Sequence, residues 1–127
     1  MKPKILVIDD EESWCEILKY NLLKEGYDID CAYSAEEALE KNLTEYSLFL
    51  VDVMMVNLSG FDFAIKIRQN PATEAIPIIF CTALVDEEST VEGLNIGGDD
   101  YITKPFILSE VKARVRAVLR RSEQPLA

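Results

Sequence analysis

The chain has 127 residues, 49% hydrophobic and 28% charged, the size and balance of one ordinary globular domain. Its 23 acids against 13 bases leave a formal charge of −10, which argues against direct binding to nucleic acid or anionic lipid. No apolar run approaches the ~20 residues of a membrane span, and the greasy segment near the start is too short for a signal peptide. There is no histidine, which removes histidine-dependent catalysis and the usual metal ligand, and Cys15, Cys31 and Cys81 show no CxxC spacing. The expectation is a cytoplasmic, reduced domain, with Cys81 a small buried hydrophobe.

In chain order, the apolar, β-branched run "KILVI" is a strand that ends in four consecutive acids, Asp9, Asp10, Glu11 and Glu12. Residues 11–25 follow as a helix, with Trp14, Ile17, Leu18, Asn21 and Leu22 near helical spacing and Gly26 as a stop. "DIDCA" is a second strand, followed by a helix opened by a capping-box pattern, Ser34 to Glu37. "SLFLVD" runs into a loop ending at Gly60, and "FDFAIKIRQ" is helical up to Asn70-Pro71. Pro77 starts the strand "IPIIFCT", and a loop leads to a weak helix around 88–96. "YIT" precedes a helix over 107–121, with Ile107, Leu108, Val111, Val115, Val118 and Leu119 on one face.

Five strands alternating with five helices predict an α/β fold, a doubly wound five-stranded parallel sheet covered on both faces. Strands 1, 3 and 4 read as continuous apolar runs, as strands buried on both faces do. Ligands of such sheets sit beyond the carboxyl ends of the strands, near the topological switch point. Those positions hold Asp9 and Asp10 after strand 1, Asp52 after strand 3, Thr82 ending strand 4 and Lys104 after strand 5.

Three carboxylates, a hydroxyl and an ammonium therefore share one rim. Two carboxylates ~4 Å apart repel by roughly 4 kcal/mol at an effective dielectric of ~20, so a cluster of three must take up a proton or recruit a cation. Oxygen donors without His or Cys select a hard ion, Mg2+ or Mn2+. With the ion bound the rim can receive a phosphoryl group, to which Lys104 adds positive charge and Thr82 a hydroxyl donor. The nucleophile is then a carboxylate, since no Ser or Cys lies beside a base.

These motifs resemble the response-regulator receiver domains of two-component signalling, with their (βα)5, flavodoxin-like and CheY-like fold. The likeness runs from "ILVIDD" through "VDVMM", "IIFCTA" and "GGDDYITKPF" to "ARVRAVLRR". It implies a receiver domain over residues 1–122, with 123–127 a tail or the start of a linker. It implies that Asp52 accepts a phosphoryl group from a sensor histidine kinase or phosphotransfer protein, in a self-catalysed step followed by slow autodephosphorylation. Asp10, Asp9, Asp52 and the backbone carbonyl of Met54 would hold Mg2+, and Lys104 would contact the phosphoryl group next to a cis Lys104–Pro105 peptide. Thr82 would swing toward the phosphoryl group and Tyr101 would rotate inward behind it. The implied partners are the kinase and a downstream output domain or target protein, with no nucleic acid or membrane bound by this domain itself.

The chain departs from the family pattern at Val56, where receivers usually carry proline, so the fixed φ of that ring is missing from a loop that continues into Asn57. Glu12 reads as a solvated helix start favoured by the helix dipole. Trp14 can lie against the rim or turn inward with Ile17 and Leu18. The closing helix resembles that of receivers preceding winged-helix domains, whose fourth and fifth helices pair a base with an acid across a dimer; here those positions are Glu92 and Glu110. Arg120 and Arg121 suit a helix end or a linker start.

Other readings compete. A haloacid-dehalogenase-like phosphatase needs a second Asp two residues after its nucleophile, where this chain has Met54. A flavodoxin-like FMN carrier needs a phosphate cradle where this chain has Asp9 to Glu12. A receiver used only for docking would lack one of the five rim residues.

Overall fold

A computed structural model describes residues 2–83 and 87–123. The strands are β1 (Lys4–Ile8), β2 (Asp28–Ala32), β3 (Leu48–Val51), β4 (Ile78–Thr82) and β5 (Asp100–Thr103). The helices are α1 (Glu12–Lys24), α2 (Ala35–Leu39), α3 (Gly60–Gln69), α4 (Glu87–Ile96) and α5 (Leu108–Glu123), with a short 3-10 turn at Leu43–Glu45. All pairings are parallel, in the order β2-β1-β3-β4-β5. The chain moves outward from β1 to β2 and then returns to β3 on the other side, so β1 and β3 flank the switch point.

Side-chain alternation divides each apolar strand between two cores. Ile5 and Val7 of β1 face α1 and α5, packing with Leu18, Leu22, Val111 and Val115. Leu6 and Ile8 face the other way, with Phe49, Phe63, Ile67 and Phe80. Phe49 meets Phe63 edge-on at 5.4 Å, and Phe61 meets Phe80 edge-on at 5.1 Å. α4 lies close against this layer because Gly93 has no side chain; a Cβ there would stand 3.1 Å from the Phe61 ring and 3.2 Å from Phe80.

Local signals act much as the sequence suggests. Gly26 ends α1 with φ +93°, a conformation that favours glycine. Asn70, before Pro71, leaves α3 in an extended conformation. Ser34 caps α2 by accepting from Glu37 N–H at 3.0 Å, but Glu37 returns its bond to Tyr33 N–H rather than to Ser34, so the box is reciprocal one residue early. The complete capping box is at Ser59 and Asp62, which open α3.

Two amphipathic faces differ from expectation. α1 buries Cys15, Leu18 and Leu22, while Ile17 is 41% exposed; neighbours on a helix lie ~100° apart, and Leu18 takes the sheet-facing direction. Ile107 precedes α5 and is exposed, its carbonyl accepting from Glu110 and Val111. The proposed tail begins at residue 123, which still belongs to α5; residues 124–127 lie outside the described residues.

Candidate functional site

β1 and β3 carry their alignment past the last paired residues. Asp9 N–H donates to Ala32 O at 3.1 Å, and Asp52 N–H donates to Ile8 O at 2.9 Å, so both aspartates leave the sheet edge side by side. Both are buried. Asp10, one residue on, is exposed, yet one carboxylate oxygen from each of Asp9, Asp10 and Asp52 lies within 4.8 Å of the others.

The floor under Asp52 explains Gly60. Gly60 N–H donates to Val53 O at 3.0 Å, and a Cβ on Gly60 would overlap the Asp52 carbonyl. The start of α3 can therefore press against the strand end only because this residue is glycine. Between them the loop turns through Asn57, at φ 67°, with Val56 73% exposed; asparagine tolerates this left-handed conformation better than most residues.

Lys104 closes the site from β5. Its backbone N–H donates to Thr82 O at 2.7 Å, and its peptide bond to Pro105 is cis. The ammonium donates to Asp9 Oδ2 at 2.7 Å and to Asp52 Oδ2 at 3.3 Å, with the Lys104 side chain 9% exposed. The remaining oxygens are also engaged: Asp9 Oδ1 accepts from Glu11 N–H at 2.9 Å, and Asp52 Oδ1 from Met54 N–H at 3.0 Å.

Burial pushes the Asp9 carboxyl above the usual aspartate range, and the hydrogen bond from Lys104 offsets this only in part. For Lys104 burial works against the charged form, but the bond and charge of Asp9, then of Asp52, outweigh it and raise its pKa. Burial thus decides for the acid and pairing decides for the base. Among the described residues, these three carboxylates gather around one ammonium, a formal excess of two negative charges. With donors that are all oxygen, this set fits a hard divalent ion.

Thr82 is fully buried at the end of β4. Tyr101, half-buried on β5, packs its ring 6.1 Å from Phe80. Met54 is exposed, and Glu12 is a solvated residue of the first turn of α1.

Three further residues bear on Lys104, directly or through one another. Glu11 brings Oε1 to 4.0 Å from Lys104 Nζ. Trp14 lies on the rim side, its ring centroid 5.6 Å from the same nitrogen. Phe106 packs on Trp14 at 4.6 Å, joining α1 to the loop after β5. The sequence places Glu11 in the acidic run after β1 and Trp14 one helical turn beyond Asp10, whereas Phe106 carries no such signal.

A family model described as the response regulator receiver domain matches residues 5–116. The alkaline phosphatase synthesis transcriptional regulatory protein PhoP of Bacillus subtilis is 48% identical over 124 residues, covering 97% of this chain and 51% of that protein. The phosphate regulon transcriptional regulatory protein PhoB of Rhizobium meliloti is 42% identical, covering 97% of this chain and 55% of its own length. Among solved structures, a two-component response regulator from Clostridium difficile superposes with a TM-score of 0.87 at 35% identity, covering 97% of this chain and 100% of that one. The chain thus spans about half the length of the PhoP and PhoB relatives.

Proposed function

We propose, because this chain belongs to the response regulator receiver domain family, that Asp52 is its phosphoacceptor and that a histidine kinase or phosphotransfer protein is the donor. One observation carries this reading: Asp52 is buried at the end of β3, with Asp9 and Asp10 oxygens within 4.8 Å and the Lys104 ammonium at 3.3 Å. Asp9, Asp10, Asp52 and the Met54 carbonyl are the residues that would hold Mg2+ or Mn2+. When bound, the ion neutralises the acids and draws phosphoryl oxygens toward them.

The chain's own residues supply the rest. One carboxylate oxygen of Asp52 attacks phosphorus, the O–P bond forms as the P–N bond of the donor phosphohistidine breaks, and the donor ring, already protonated on its other nitrogen, leaves as neutral imidazole with the P–N electron pair. Lys104 pairs with the phosphoryl oxygens as charge shifts onto them. Thr82 presents its hydroxyl to the same group, and Tyr101 rotates inward behind it. Water later cleaves the acyl phosphate slowly, so the domain acts as a timed signalling switch rather than a metabolic enzyme. Its output passes to a further domain or a target protein, in a cytoplasmic setting.

A haloacid-dehalogenase-like phosphatase is not favoured: the matching family is a signalling one, and the position two residues after Asp52 is the exposed Met54. The test is labelling by acetyl phosphate. With Mg2+ present one phosphoryl group per chain is expected, lost on adding EDTA and in Asp52→Asn; equal labelling of Asp52→Asn would overturn the assignment.

A further inference from the structure

We propose that Trp14 is a positioning residue for Lys104: its indole, braced by Phe106, holds the ammonium over Asp9 and Asp52. Lys104 carries its charge on a flexible four-carbon stem, and its backbone N–H donates to Thr82 O at 2.7 Å, anchoring it at the base. The head is 5.6 Å from the Trp14 ring centroid, inside the ~6 Å reach of a cation–π contact, and the side chain is only 9% exposed, so little water screens the attraction. Trp14 also grips the segment that carries the lysine, since Phe106, two residues beyond Lys104, packs on the indole at 4.6 Å with the planes tilted by 45°. One residue of the first turn of α1 therefore restrains both the charge and the loop behind it.

The restraint has two consequences of opposite sign. Held at 2.7 Å from Asp9 Oδ2, the ammonium competes with a divalent cation for the oxygens that cation would use. Held beside Asp52, it is already placed for the phosphoryl oxygens, and no search of stem conformations is needed. Loosening Lys104 should accordingly tighten metal binding while slowing phosphorylation, a combination that simple loss of folding does not produce. The second consequence rests on the phosphoacceptor reading above; the first does not.

The experiment is a double-mutant cycle read by calorimetric titration with Mg2+ alone. Trp14→Leu should tighten Mg2+ binding by roughly three- to tenfold. Trp14→Phe, which retains an aromatic face, should remain near wild type. In a Lys104→Ala background Trp14→Leu should change nothing. An unchanged affinity in Trp14→Leu, or the same change in both backgrounds, would overturn the proposal. At saturating Mg2+ the initial rate of labelling by acetyl phosphate should fall in Trp14→Leu and recover in Trp14→Phe, and an unchanged rate would also overturn it. If even wild type takes no label, the phosphoacceptor reading fails, while the Mg2+ cycle still decides the role of Trp14.

Discussion

Lys104 reaches 95 residues back along the chain to donate a 2.7 Å hydrogen bond to Asp9, and both partners are buried. The bond ties the end of β5 to the end of β1, across the width of β3 and β4. Removing its charge leaves Asp9 and Asp52 as buried carboxylates without a cation. Lys104→Met, which keeps most of the stem volume, should therefore cost about 3 kcal/mol in EDTA, the scale of a broken buried pair. Millimolar Mg2+ should restore much of that loss by mass action on the native state. Urea denaturation with and without Mg2+ checks both parts, and equal midpoints for wild type and Lys104→Met in EDTA would contradict the account.

The pH dependence of stability should carry the mark of Asp9. Its carboxyl is raised in the folded protein, chiefly by burial, so the unfolded chain loses this proton first as pH rises. The contribution is complete below the ordinary aspartate value and is lost as pH climbs through the raised folded value. The stability of wild type relative to Asp9→Asn in EDTA should accordingly fall across that window and level off above it. A difference that grows with pH there would mean that pairing to Lys104 outweighs burial at Asp9.

Gly60 offers a test of the frame beneath the nucleophile. A methyl group there would overlap the Asp52 carbonyl and come to 2.9 Å from Val51 Cγ1, and neither the backbone nor a fully buried valine can step aside. Gly60→Ala should cost about 2 kcal/mol or more, in the range of overpacked sites, and should also weaken Mg2+ binding by shifting Asp52. Thermal melts and a Mg2+ titration would show it; a variant as stable as wild type would mean that α3 does not need this close approach.

The spacing of chemistry in the sequence made the centre of the site legible. Asp9, Asp52 and Lys104 are fixed by strand ends, and once β1, β3 and β5 are recognised their convergence follows from topology. Thr82 follows for the same reason. The second layer was legible only in part. Glu11 reaches Lys104 through the direction of a loop side chain, and the Trp14–Phe106 contact depends on how α1 lies against the segment after β5, neither of which periodicity encodes. The inward face of α1 was blurred because Ile17 and Leu18 are both apolar neighbours, while the residue that completes the buried stripe, Cys15, does not read as strongly apolar. Asn57 supplies by its tolerance of positive φ a turn that no proline fixes.

Assembly follows from two exposed acids. A two-fold dimer through α4 and α5, the arrangement expected from the closing helix, would set Glu92 of one copy against Glu110 of the other. Glu110 is already paired within its own chain to Arg114 at 3.2 Å, which only partly masks its charge. Beryllofluoride-treated wild type should stay monomeric at low salt where Glu92→Lys associates, and the difference should shrink as salt screens charges beyond the ~10 Å Debye length at 0.1 M. Sedimentation velocity measures both, and a tight wild-type dimer at low salt would show that the two acids do not control assembly.

Chemical trapping of the modified residue bears most directly on Asp52. Borohydride reduces an aspartyl phosphate to homoserine, which peptide mass spectrometry can locate. After incubation with acetyl phosphate and Mg2+, homoserine is expected at position 52 and nowhere else, with none in samples treated with EDTA. Phosphate that survives borohydride on a serine or threonine, or homoserine at Asp9 or Asp10 with Asp52 untouched, would contradict it.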